Sequence, residues 1–199
     1  MIETNFYKQY SVGCILYAMI NSGLISEDIL PTKLKNSKGR YWSRDEKTFT
    51  NLLDKIDVQF DLMNTWIKLG GVDKFFDNCT IDDVYREYEI AKMHSNEDDY
   101  TFCLNILKKI NKAHYFANCT SDKLNIEIVA DYNENADLYN SILKENTILG
   151  NKNHHYFVYK GIDEETGKYI IRDSLQNRDL LMPSEMWKKD TFIVNIKRG

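Results

Sequence analysis

Proline and glycine are scarce, with 2 and 9 residues respectively in a chain of 199, which excludes a collagen-like, Pro-rich or Gly/Ser-linker protein. No apolar run approaches the roughly 20 residues of a membrane-spanning helix. Even the stretch 12–24 is broken by Tyr17, Asn21 and Ser22, so no membrane is expected as a partner. A basic stripe is also missing. The 26 Lys and Arg are interspersed among 30 Asp and Glu, for a net charge of -4, and nucleic acid is not an expected partner. The N-terminus, Met-Ile-Glu-Thr-Asn-Phe, lacks the basic region and small-residue cleavage site of a secretory signal, which predicts a cytoplasmic protein with reduced thiols. Its four cysteines, at 14, 79, 103 and 119, include no C-x-x-C pair and have no histidine at zinc-ligand spacing. Neither a redox motif, a metal site nor any other cofactor is therefore expected.

What the chain does have is ordinary globular material: 43% hydrophobic and 13% aromatic residues, enough for one well-buried core and a single domain over 1–199. Ile15, Ala18 and Met19 lie at helical spacing, and Asn21-Ser-Gly23 stops that helix, which puts Cys14 in its first turn. Ser43 to Glu46 reads as a capping box before Phe49, Leu52, Leu53 and Ile56, and Thr80 to Asp83 similarly opens a helix over 84–93. A further helix is expected over 98–111, with Phe102, Ile106, Leu107 and Ile110 on one face.

After Leu124 the period changes. Ile126, Ile128 and Ala130 alternate as in a strand, 135–145 fits a short helix, and Thr147-Ile-Leu149 is a short apolar run. The segments 155–160 and 169–173 flank the polar turn Asp163-Glu-Glu-Thr-Gly167 and read as a hairpin, and 191–195 supplies a last strand. The expected class is α+β, a helix-rich N-terminal part packed against a C-terminal antiparallel sheet.

The chemistry-bearing residues fall at the junctions of these elements. A cysteine attacks as thiolate, which a helix N-terminus and a neighbouring imidazolium both favour. Cys14 meets the first condition by position. The hairpin brings His155, at the start of one strand, beside Asp173, at the end of the next, so a carboxylate can hold the imidazole that serves the thiol. Gln9, five residues before Cys14, could aim its amide at a developing oxyanion together with the Cys14 N–H.

The arrangement Gln9 … Gly13-Cys14 … Ala18-Met19, followed by His155-Tyr-Phe-Val-Tyr-Lys-Gly161 and Tyr169-Ile-Ile-Arg-Asp173-Ser, resembles papain-like cysteine peptidases. The branch it is most similar to removes leader peptides from bacteriocins. The likeness covers 5–23 and 140–196, with Ile15 where that branch carries glycine. It implies a papain-like fold with Cys14 as nucleophile, His155 as general base and acid, Asp173 as orienting carboxylate and Gln9 as oxyanion donor. Related folds also serve as amide-forming acyltransferases that draw acyl groups from carrier proteins. With Cys14 so close to the N-terminus, no inhibitory pro-region is expected, which points to narrow specificity. The expected partner is accordingly a peptide or a carrier-protein-bound acyl thioester, with an amine as acceptor in the transferase version. The favoured expectation is an intracellular amide-forming acyltransferase; the alternatives are a leader peptidase and a non-catalytic binding module.

Blander accounts exist for each residue. A lone cysteine on an apolar helix face is usually a small buried hydrophobe, the account preferred for Cys79, Cys103 and Cys119. His154 is a rival to His155, but adjacent strand residues face opposite ways and register favours His155. Asp173 alone would be a turn-capping carboxylate. Trp187 resembles a groove-side aromatic.

Overall fold

The computed structural model of the chain describes residues 13–32, 49–71, 74–76, 79–93, 101, 105, 123–153, 155–176 and 178–199. They divide into two compact units, one containing 14–29 and 125–199, the other 30–124. Each is assembled from segments far apart in sequence or inserted between them, so no Pro- or Gly-rich linker marks where the chain crosses. The expected helix over 98–111 lies almost wholly outside the described residues, as do the capping box at 43–46 and Gln9.

The first unit begins with α1 (Cys14–Asn21), whose eight residues are all buried. It stops where the sequence says it should. Gly23 takes φ +78°, a left-handed conformation that glycine adopts without steric cost. The Gly23 N–H donates to the Ile20 carbonyl and the Leu24 N–H to Met19, both at 2.9 Å, closing the helix in a Schellman arrangement.

The rest of this unit is a sheet with α4 (Ala136–Ile142) packed on it. The strands are β3 (Leu124–Asp131), β4 (Thr147–Asn151), β5 (Tyr156–Ile162), β6 (Tyr169–Arg172), β7 (Leu180–Met182) and β8 (Thr191–Arg198), in the order β3-β8-β4-β5-β6-β7. The β4–β8, β4–β5, β5–β6 and β6–β7 pairs are antiparallel. The protein is thus α+β. Asn135 caps α4 by accepting from the Leu138 N–H at 2.9 Å, so the helix starts where expected and ends three residues early. One sheet face carries the core: Leu149, Phe157, Tyr159, Ile171 and Ile193 bury against Tyr139 of α4. The Tyr139 hydroxyl meets Thr191 Oγ1 at 2.8 Å, satisfying the buried polar tip. The α1 helix packs against β5. The alternation read for β3 is only half realised, since Ala130 is buried but Ile128 is 59% exposed on this outermost strand.

The second unit holds α2 (Phe49–Lys68), a β1–β2 hairpin (Lys74–Phe76 and Cys79–Thr80) and α3 (Ile81–Met93). Ile56, Gln59, Phe60, Met63 and Trp66 lie buried at helical spacing on α2, and Val58, Leu62 and Thr65 beside them are buried too. Phe60 meets Tyr85 and Tyr88 of α3 edge-on and tilted, at 5.0 and 5.5 Å between centroids. The β1–β2 hairpin and β7 are strands of two or three residues that periodicity does not reveal.

Candidate active site

Cys14 is the first residue of α1, where backbone N–H groups have no intrahelical partner, and is 8% exposed. His155 stands immediately before β5, the strand on which α1 packs. The loop between β4 and β5 that delivers it is tied by Asn151. The Asn151 Oδ1 accepts from the backbone N–H groups of Asn153 at 2.9 Å and His155 at 3.1 Å, while the Asn151 N–H donates to the His155 carbonyl at 3.0 Å. Nothing in the pattern of the sequence singled out Asn151. Its only signal was the Asn-Lys-Asn turn composition.

Asp173 follows β6 and is held in an Asx turn. Its Oδ1 accepts from the Leu175 N–H at 2.9 Å and its carbonyl from the Gln176 N–H at 3.0 Å. The next turn is clamped by Arg172, which grips Asp179 in a two-pronged contact at 2.8 Å through both Nε and Nη2, the geometry that suits a guanidinium–carboxylate pair. The same Asp173 Oδ1 lies 2.8 Å from His155 Nε2. With Nε2 occupied by Asp173, the imidazole also interacts with the Cys14 side chain, which favours its protonated form. The structure therefore brings Cys14, His155 and Asp173 together, all within one compact unit. The proposed oxyanion donor Gln9 and the rival His154 lie outside the described residues.

A register shift makes the pairing work. Val158 opposes Arg172 and Tyr159 opposes Ile171, but beyond them Gly161 opposes Ile170 and Ile162 opposes Tyr169. Lys160 is thus the extra residue of a β-bulge, and Gly161 beside it has φ +107°. Continuing the register by one pair sets Asp173 opposite Phe157, on the sheet face that His155 and Phe157 share. Had the ladder run on from Ile162 without the bulge, Asp173 would oppose Val158 and point to the other face, because a one-residue slip reverses every side chain. The hairpin was legible in the sequence, but this offset was not.

Electrostatics follow from the geometry. Burial works against a charge on His155, but the hydrogen bonds to Asp173 and Cys14 and their negative charges outweigh it, raising the imidazole from 6.5 to about 9. A proton on this ring is thus favoured at neutral pH. Tyr156 is pushed up to about 12, first by burial and second by the charge of Cys14, and remains a neutral phenol. Among the described residues no group of His, Cys, Asp and Glu is arranged to hold a metal ion, and no helix is long and apolar enough to cross a membrane.

Beside the His155–Asp173 pair a half-open cavity of about 160 Å³ is lined by Asn151, Phe157, Ile171, Leu180, Met182 and Trp187 as well as by the pair itself. Trp187 stacks on Tyr159 at 5.8 Å and meets Tyr169 edge-on at 5.6 Å, so it forms a braced wall. No family model, curated protein or solved structure matches the chain.

Proposed function

We propose that the chain is a cysteine-nucleophile acyl-transfer enzyme on a papain-like fold, with Cys14 as nucleophile, His155 as acid and base, and Asp173 as the group that orients the imidazole. The observation that carries this reading is that one imidazole is shared between the Cys14 side chain and the Asp173 carboxylate. In the reaction, Cys14 Sγ bonds to the carbonyl carbon of the donor, and the donor's C–S or C–N bond breaks. The proton held on His155 goes to the departing group. An acceptor then attacks the Cys14 thioester, gives its proton to His155 and releases the thiolate. Asp173 keeps Nε2 engaged, which orients the ring and stabilises the imidazolium.

The favoured version is an intracellular transferase that takes an acyl group from a carrier-protein thioester and passes it to an amine to form an amide. It rests on the resemblance read from the residues; the raised imidazole serves a leaving thiol or amine equally and so supports the chemistry common to both versions. The test is intact mass spectrometry after incubation with an acyl N-acetylcysteamine thioester. An acyl adduct is expected that is lost in Cys14→Ala, and an adduct that survives that change would refute the assignment. Adding an amine should then release amide. Release of free acid alone, with cleavage of a peptide substrate, would instead favour the leader-peptidase version, and no adduct at all the non-catalytic one.

A further inference from the structure

We propose that the outer edge of β3 pairs with the same strand of a second copy of this chain, antiparallel and centred on Ile128, to give a reversible dimer in which the two sheets continue as one. This pairing does not rest on the acyl-transfer reading, because β8, β4 and β5 separate β3 from β6, the strand that precedes Asp173. Among the described residues β3 is the outermost strand on its side of the sheet, and the backbone groups along such an edge are a template for another strand. Natural edges are commonly guarded by Lys, by Pro or by an exposed charge. The run 125–131, Asn-Ile-Glu-Ile-Val-Ala-Asp, holds neither Lys nor Pro. Its one mid-strand charge, Glu127, is ion-paired with Lys197 of β8, the neighbour on the inner side, and so is drawn away from the open edge. Beside it Ile128 is 59% exposed and Val129 37%, so apolar side chains stand uncovered on both faces of the strand.

The residues of the strand select a second copy as the occupant. A twofold axis between antiparallel strands sets one residue against its own copy, since groups bonding to either side alternate along each strand. Centred on Glu127, two carboxylates would oppose each other, and centred on Val129, Glu127 would oppose Asp131; like charges directly opposite are destabilising. Centred on Ile126, residues 129–131 would find no partner within 125–131. Centred on Ile128, every residue of 125–131 is matched: Ile128 with its own copy, Ile126 with Ala130, Glu127 with Val129 and Asn125 with Asp131. No like charges then meet, and the Asn125 amide can donate to the Asp131 carboxylate on both sides of the axis. Ile128, left exposed where its own core reaches only Ala130, gains an isoleucine opposite it at ~4.5–5.5 Å between Cβ atoms. The ladder adds about six to eight backbone hydrogen bonds. One strand pair is a small interface beside the ~1,200 Å² or more of stable complexes, so the dimer should form and dissociate with concentration.

Sedimentation velocity of the full chain, from micromolar to near-millimolar concentration, should show the mass rising from one chain toward two. Ile128→Lys sets like charges against each other at the axis and should weaken association by about tenfold or more. Because Ile128 is already exposed, the circular dichroism and melting of that variant should match those of the unmodified chain. The register is read separately by cross-linking. Ile128→Cys should link to its own copy under mild oxidation, whereas Val129→Cys, set opposite Glu127, should not, with peptide mapping to set aside links through Cys14, Cys79, Cys103 and Cys119. A mass that stays at one chain throughout would overturn the proposal and leave the edge to a different partner or to none. Association unchanged in Ile128→Lys, or self-linking in Val129→Cys with none in Ile128→Cys, would overturn it equally.

Discussion

Gly161→Val is the sharpest perturbation of how the fold builds the site. With φ +107° at this position, any side chain is held in a region that costs about 1–3 kcal/mol. The cost is conformational, because an added Cβ would approach nothing nearer than Glu145 Cγ at 3.9 Å. For a chain of this length that corresponds to a melting temperature lower by about 2–12 °C. The strain is relieved if the bulge flattens, which carries Asp173 to the opposite face from His155. The His155 titration followed by NMR should then fall from about 9 toward its ordinary value of about 6.5. Deleting Lys160 in the same variant removes the extra residue and restores a regular ladder with Asp173 opposite Phe157, so the high titration should return. Lys160 lies just past the last pair that β5 makes with β4, Tyr159 with Thr147, so that pairing survives the deletion. An unchanged melting temperature and titration in Gly161→Val would refute the register argument, as would a failure of the deletion to rescue it.

Three other outcomes follow from the same geometry. His155 is raised in the folded state, so its stabilisation is complete below its unfolded pKa of about 6.5 and is lost as pH rises through about 9. The displacement is worth about 3 kcal/mol, and chemical denaturation between these pH values should show that loss in the unmodified protein and not in His155→Ala. Asp173→Asn keeps the shape and removes the charge that favours the imidazolium, and it should slow acylation of Cys14 by about 10²-fold or more, with the His155 titration falling in parallel; a slower rate with an unmoved titration would contradict the orienting role. Asn151→Ala removes the acceptor for two backbone N–H groups at the His155 turn and should cost about 1–2 kcal/mol in denaturant unfolding while blurring the His155 titration.

Much of the candidate site's placement was legible because it depends on local signals. Cys14 could be placed at a helix start because Gly23 and the spacing of Ile15, Ala18 and Met19 define α1, and the polar tip at 163–167 fixed which strand ends would meet. The parity of those ends was not legible. Period-two alternation survives a single extra residue, so only the pairing partners reveal the bulge at Lys160. Asn151 was missed because its role is a set of hydrogen bonds to backbone N–H groups, which turn composition alone does not single out. The strand β7 is three residues long, too short for alternation to register, and with it went the wall formed by Leu180 and Met182. The expected inward place of Ile128 failed on β3, the outermost strand, where the core reaches Ala130 on the same face but leaves Ile128 59% exposed.

The central claim is that Cys14 is a reactive thiol served by His155. Iodoacetamide labelling at about pH 6, well below the ordinary thiol pKa of about 8.5, followed by peptide mass spectrometry tests it directly. Cys14 should label faster than Cys79, Cys103 and Cys119, and that advantage should vanish in His155→Ala. Equal labelling of all four cysteines, or an advantage at Cys14 that persists without His155, would contradict it.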